Sequence, residues 1–437
     1  MKKKVGVISL GCDKNRVDTE KMLYKLQEEF DLTPQVEDAQ IVVVNTCAFL
    51  NSARKEAIDE VINLNELRKF GKLEKVVMTG CLPQKFVGEL FDALTEVDVF
   101  LGISDYEKIV DAIKLSYKGV RVNCVGNIKR EGLTNRVRTT NNYAYLKIAD
   151  GCNNHCTYCL IPSIRGKYRS TPLERLVEET KNIGKVSELI LVAQDVTKYG
   201  VDIGVTIVDL IKELSKLETV EKIRLLYCYP ESITEQLIEE IKTNDKVIKY
   251  LDIPFQHADD KILKLMNRKG TGQGYKDLIF KLRKEIPSIA IRSTFIAGFP
   301  FEGEEEFNNL LSFIKEVKLT NAGFFEYSKE KGTPSYKLKN HNLASVKKAR
   351  VKKLYKAQKE NSNEFLSGLL DKEIEVTVDG FNGVCYEGRA YFSAPDIDGK
   401  VYLTGLLDIE YGKTYKAVVK SYEDYDLYAE VVIKEEN

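Results

Sequence analysis

At 437 residues the chain is too long for one typical core, and roughly two to three domains are expected. No apolar stretch approaches the about 18 residues of a membrane span, and the first residues, MKKKVGVISLGC, run into a strand without a secretory pattern, so a cytoplasmic protein with no membrane partner is expected. The 66 basic and 66 acidic residues balance, which leaves partners open; in a reducing compartment, however, clustered cysteines among the nine read as metal ligands and not as disulfides.

From residue 1 to about 126 the runs VGVISL, AQIVVVN and KVVMTG alternate with the helical stretches NRVDTEKMLYKLQEEF and NSARKEAIDEVINLNELRKF. This rhythm predicts a Rossmann-like parallel α/β domain. Cys12, Cys47 and Cys81 each close one of the apolar runs, with nearly equal gaps of 35 and 34 residues. Three parallel strands would carry these thiols along one edge, the edge where ligands collect in such sheets.

Residues 127–141 form a basic connector, with Lys129, Arg130, Arg136 and Arg138, read as a solvated linker in preference to a nucleic-acid site. From 142 to 369 six strand candidates recur between helices: AYLKIAD, ELILVAQ, KIRLLY, IKYLDI, IAIRSTFI and AGFFEYS. This (β/α)6 pattern predicts an open, partial TIM barrel with its active site at the carboxyl ends of the strands. Cys152, Cys156 and Cys159 follow the first strand in GCNNHCTYC, so one loop can wrap three thiolates around one metal centre.

From 370 to 437 the period changes. The alternating runs EIEVTVDGF, GRAYFSA, VYLTGL, TYKAVVKSY and LYAEVVIKE predict a small five-stranded antiparallel β-barrel. Asp371 to Asn437 holds 15 acidic and 7 basic residues, a net of −8, so the rest of the chain carries +8. An acidic barrel grips phosphate poorly and attracts a basic protein, although acidity also serves simple solubility.

Two sets of three cysteines point to two [4Fe–4S] clusters, each cube keeping one iron open for an exogenous ligand. Zinc competes for the second set, but a structural zinc takes four ligands, and His155, beside Cys156, is awkwardly placed to be the fourth. For the first set the competing reading is three buried structural cysteines, which their shared position at strand ends argues against. Cys124, Cys228 and Cys385 have no partner motif and read as structural. The Cys-x3-Cys-x2-Cys spacing resembles the radical-SAM signature, and that resemblance implies the amino and carboxylate groups of S-adenosylmethionine as the ligand at the open iron.

Other strand ends supply candidate cofactor contacts. Gln194 and Asp195 end the second barrel strand, Gln256 and His257 follow the fourth, and Ile296, Gly298, Pro300 and Glu302 follow the fifth. Each has a plainer reading: Gln194 and Asp195 as a helix cap, His257 as a loop-orienting hydrogen bonder, Gly298 and Pro300 as turn residues.

The whole chain resembles the radical-SAM methylthiotransferases, whose small terminal barrel is called TRAM. Ser9-Leu10-Gly11-Cys12-Asp13-Lys14-Asn15, Asn45-Thr46-Cys47-Ala48-Phe49, Ala193-Gln194-Asp195 and the run Ile161 to Ser170, IPSIRGKYRS, resemble the RimO branch. The branch acting on tRNA adenosines usually has Gln-Met-Asn and Gly-Gln-Asn where Asp13-Lys14-Asn15 and Ala193-Gln194-Asp195 stand. Asp13 replaces a common Pro, and Phe301-Glu302-Gly303 replaces Gly-Glu-Thr.

The resemblance implies methylthiolation of the β-carbon of an aspartate in ribosomal protein uS12. One S-adenosylmethionine would give the methyl group and a second the 5′-deoxyadenosyl radical, with a flavodoxin-like reductant as electron donor. It argues against tRNA as substrate. A tRNA adenosine methylthiotransferase and a non-catalytic iron–sulfur scaffold are the rival readings.

Overall fold

The computed structural model describes residues 2–128, 132–405 and 409–432. Lys129 and Arg130 of the connector, Leu406 at the end of VYLTGL, and residues 433–435 of LYAEVVIKE lie outside the described residues.

The first domain consists of β1 (Lys4–Ser9), α1 (Asp13–Leu26), β2 (Asp31–Leu32), β3 (Ile41–Thr46), α2 (Asn51–Phe70), β4 (Lys75–Gly80), α3 (Cys81–Ala93), β5 (Val99–Leu101), α4 (Ile109–Ser116) and β6 (Val122–Cys124). Its sheet is parallel throughout in the order β2-β1-β3-β4-β5-β6. All six residues of β3 are buried, which is why it reads as an unbroken apolar run: helices cover both faces of a parallel sheet.

The central domain follows with β7 (Tyr143–Lys147), β8 (Ala149–Asp150), α5 (Ile161–Arg165), β9 (Arg169–Ser170), α6 (Leu173–Ile183), β10 (Val186–Val192), α7 (Ile207–Ser215), β11 (Val220–Leu225) and α8 (Glu235–Thr243). It continues through β12 (Val247–Asp252), α9 (Asp260–Leu265), α10 (Gly272–Glu285), β13 (Ala290–Ala297), α11 (Glu304–Val317), β14 (Asn321–Glu326) and α12 (Ala344–Ser367). Six parallel strands run β14-β13-β12-β11-β10-β7 without closing, the expected partial barrel. Side chains alternate between its faces: Leu189, Leu191, Ile223 and Leu251 pack beneath the helices, while Tyr145, Ile190, Val192 and Tyr250 belong to a second core.

That second core is shared with the terminal domain, β15 (Glu373–Phe381), β16 (Tyr386–Arg389), β17 (Val401–Thr404), β18 (Thr414–Glu423) and β19 (Asp426–Val431). The five strands close in the order β15-β16-β17-β19-β18; four ladders are antiparallel and β17 runs parallel to β19. GRAYFSA does not form one strand. β16 ends at Arg389, and the segment beyond turns toward the central sheet, burying Phe392 and sending Asp398 to Arg292 at 3.3 Å.

The connector is not freely solvated either. The Arg136 side chain is 1% exposed and lies 3.4 Å from Glu20 of α1 and 3.6 Å from Glu179 of α6. Arg138 donates to the carbonyl of Lys185 at 2.8 Å. Two buried carboxylates from different domains require cations, and Arg136 of the connector provides one beside Lys21, which lies 3.1 Å from Glu179. Among the described residues no helix is long and apolar enough to cross a membrane.

Candidate active site between two cysteine sets

Strand register aligns the first cysteine set. Ser9 pairs with Asn45, Asn45 with Thr79 and Thr46 with Gly80, so β1, β3 and β4 end nearly level. Cys47 directly follows β3, Cys81 opens α3, and Cys12 precedes α1. The backbone turns sharply before two of these thiols. Gly11 has φ +100°, and a Cβ there would meet the Cβ of Cys47 at 2.9 Å; Gly80 has φ +96°, and its Cβ would meet Asn45 Oδ1 at 2.4 Å. Only glycine takes such positions without strain.

Asn15 locks the ends of β1 and β3 together, and the Thr46 hydroxyl, donating to the Thr79 carbonyl at 2.6 Å, ties β3 to β4. Its Nδ2 donates to the carbonyls of Leu10 at 2.9 Å and Thr46 at 3.1 Å, while Asn45 Nδ2 donates to the Asn15 carbonyl at 2.8 Å. Cys12 is exposed, Cys47 half-buried and Cys81 buried.

The second set lies on the loop after β8, all three thiols half-buried. Thr157 anchors the loop, its N–H donating to Met266 O at 3.0 Å and its hydroxyl to Leu265 O at 2.7 Å. The backbone N–H groups of Asn154 and Ile161 point at the sulfurs of Cys152 and Cys159, each at 3.4 Å. His155 is exposed, and its carbonyl accepts from Asn267 Nδ2 at 3.0 Å.

Arg165, missed as a site residue in the sequence, joins the two sets. It is 2% exposed, at the end of the short helix that follows Cys159. Its guanidinium donates to Asp150 at 2.9 Å, to Asn15 Oδ1 at 2.9 Å, to Asp18 at 3.4 Å and to Cys81 Sγ at 3.4 Å. Lys147 pairs with the same Asp18. The only trace of this in the sequence was the position of Arg165 inside IPSIRGKYRS.

The donor sets fit iron–sulfur clusters. Among the described residues no group of three or more His, Cys, Asp or Glu side chains is drawn tightly enough to hold a single metal ion. Each set offers three thiols, the number a cube with one open iron takes, where a structural zinc takes four ligands. N–H groups aimed at sulfur are the hydrogen bonds that tune a cluster. Burial pushes the thiols of Cys81 and Cys159 up to about 12 and raises those of Cys47 and Cys152. Loading metal onto such thiols therefore releases protons.

The remaining candidates divide. Asp195 is buried at the end of the second barrel strand, where it accepts from Asn154 Nδ2 at 3.2 Å and from the Thr197 hydroxyl at 2.5 Å, beside the cysteine loop. Gln194 is half-buried with its Oε1 unpartnered. Gln256 and Ile296 meet at neighbouring strand ends, the Ile296 N–H donating to Gln256 O at 2.8 Å. His257 and Glu302 are sealed inside. His257 Nε2 lies 3.4 Å from Glu302, whose carboxylate accepts from the N–H groups of Gly298 at 2.7 Å and Phe299 at 3.2 Å and from Arg350 at 3.0 Å. Glu302 clamps the turn after β13, so any cofactor contact there falls to the turn's backbone. A cavity of about 670 Å³ at the junction of the domains, lined by Ser9, Arg16, Asn142 and Asp396 among others, has no cysteine in its wall.

Against known proteins, residues 146–314 match the Radical SAM superfamily, residues 4–102 the uncharacterized protein family UPF0004, and residues 372–432 the TRAM domain. The chain is 44% identical over 434 residues to the ribosomal protein uS12 methylthiotransferase RimO of Clostridium botulinum (strain Eklund 17B / Type B), covering 98% of this chain and 97% of that protein. It is 43% identical over 436 residues to the protein of the same name from Thermoanaerobacter sp. (strain X514), covering 98% and 100%. Among solved structures, the radical S-adenosylmethionine methyltransferase TsrM from Kitasatospora setae, with cobalamin and a [4Fe-4S] cluster bound, superposes with a TM-score of 0.56 at 13% identity over 77% of each chain. At that identity the likeness is one of fold. The chain belongs to the RimO family of radical-SAM methylthiotransferases, enzymes that work with an iron–sulfur cluster and S-adenosylmethionine.

Proposed function

We propose that this enzyme methylthiolates the β-carbon of an aspartate in ribosomal protein uS12, with Cys12, Cys47 and Cys81 holding one [4Fe–4S] cluster and Cys152, Cys156 and Cys159 a second. When bound, the clusters supply reductive cleavage of S-adenosylmethionine at one site and a seat for the transferred sulfur at the other. The methyl group and the radical that removes the β-hydrogen would each come from a molecule of S-adenosylmethionine. The observation that carries this reading is the reach of Arg165, on the short helix following the second cysteine set, to Cys81 of the first, in a chain matched along 98% of its length by relatives named for uS12.

The chain's own residues do the arranging. Asn15 holds the ends of β1 and β3 in register, Asn154 and Asp195 fix the second loop, and Glu302 shapes the turn after the fifth strand. Gln194, Gln256 and Ile296 line the strand ends left for the cofactor. A charge of −8 on the terminal barrel supports a basic protein partner over RNA. Part of that charge is turned inward, since Asp379 pairs with Arg389 and Asp398 with Arg292. A cytoplasmic location and a flavodoxin-like reductant belong to the same reading.

Mass spectrometry of uS12 after incubation with reconstituted enzyme, sulfide, reductant and S-adenosylmethionine tests it. A gain of one methylthio group on an aspartate is expected; modification found on tRNA alone would overturn the choice of substrate.

A further inference from the structure

Arg165 carries more than the docking of two domains requires. A buried guanidinium must be neutralised, and Asp150 and Asp18 do this together for Arg165 and Lys147, two carboxylates against two ammonium-type charges. The contact to Cys81 Sγ at 3.4 Å stands outside that balance. It comes from a residue six positions beyond Cys159, on the short helix whose first N–H, that of Ile161, points at the Cys159 sulfur. One rigid stretch of chain thus touches a thiol of each set.

We propose that Arg165 is a positioning residue that sets both the retention and the reduction potential of the cluster held by Cys12, Cys47 and Cys81, through a charge-assisted hydrogen bond to the Cys81 sulfur. This rests on the two-cluster reading above. A cation donating to a ligand sulfur stabilises the more negative, reduced cluster, so removing it lowers the potential. Because the guanidinium is anchored on Asp150, one residue before the Gly151-Cys152 turn, the same contact also fixes where the first set stands relative to the second.

The test uses full-length protein carrying Cys152→Ala, Cys156→Ala and Cys159→Ala, reconstituted anaerobically with iron and sulfide so that only the first set can hold a cluster. On that background Arg165→Gln and Arg165→Lys are compared by iron retention against a chelator and by redox titration followed by electron paramagnetic resonance. Arg165→Gln is expected to lower the midpoint potential and to speed iron loss about tenfold, the scale seen when outer partners of metal ligands are removed, with Arg165→Lys recovering part of both. If Arg165→Gln does not fold, Arg165→Lys, which keeps the charge but cannot span four partners, carries the test through its faster iron loss. Potential and retention equal to those of the parent would overturn the inference while leaving the two-cluster reading intact. A parent that binds no iron would overturn both.

Discussion

Asn154 Nδ2 donates to Asp195 Oδ2 at 3.2 Å, tying the loop of the second cysteine set to the end of the second barrel strand. Asp195 is further held by the Thr197 hydroxyl at 2.5 Å, and its carbonyl accepts from the Tyr168 hydroxyl at 2.8 Å. The carboxylate thus orients the cysteine-bearing loop from behind. Asp195→Ala is expected to cut 5′-deoxyadenosine formation by about 10- to 100-fold, measured by chromatography of dithionite-reduced enzyme. An unchanged rate would remove Asp195 from the site.

The proposed function gives the two cysteine sets separable roles. Cys156→Ala is expected to abolish 5′-deoxyadenosine formation, since a cube rarely survives on two thiolates. Cys47→Ala is expected to leave that cleavage in place and to stop methylthio transfer. Methylthiolated product from the Cys47 variant would contradict its role.

Gly80 ends β4 directly before Cys81 with φ +96°, and a side chain there would meet Asn45 Oδ1 at 2.4 Å and the Thr46 carbonyl at 2.5 Å. The first contact breaks the asparagine clasp and the second presses on backbone. Gly80→Ala is expected to destabilise the chain by about 3 kcal/mol and to reduce iron at the first set. Urea unfolding and iron assay check both.

Glu188 in β10 lies between Arg224 of β11 at 2.5 Å and Arg389 of the terminal barrel, and it is buried. Burial alone would raise its pKa, but the two guanidinium groups overcome this and hold it down to about 2 against an ordinary 4.5. A depressed folded value stabilises wherever the unfolded chain is ionised. The contribution is therefore whole above pH 4.5, falls away as pH drops toward about 2, and is absent below. Its size is of order 3 kcal/mol. Glu188→Gln is expected to be less stable at pH 7 and to lose the pH dependence that the parent shows in that window, followed by urea midpoints. Parallel curves for the two proteins would show that Glu188 does not anchor the barrel.

The strands bearing Cys12, Cys47 and Cys81 were legible because fully buried parallel strands must be apolar throughout, and β3 is buried at every position. In the central sheet β10, buried at all seven positions, was legible for the same reason. Arg165 was not, because its partners Asn15, Asp18 and Cys81 lie 84 to 150 residues away and meet it only when two domains dock. Arg136 misled in the same way: a run of basic residues looks solvated until Glu20 and Glu179 are brought against it. GRAYFSA alternates like a strand, yet beyond Arg389 its apolar side chains fill the core against the central sheet. His257 and Glu302 were found by position after a strand, which does not reveal that each faces the other inside the fold.

Counting clusters is the most direct test. Anaerobically reconstituted wild-type protein should hold about eight irons and eight sulfides, with Mössbauer spectra resolving two cubes, and replacing either set of three cysteines by alanine should leave one cube. About four irons in the wild type, unchanged when Cys12, Cys47 and Cys81 are all alanine, would contradict the assignment of a cluster to the first set.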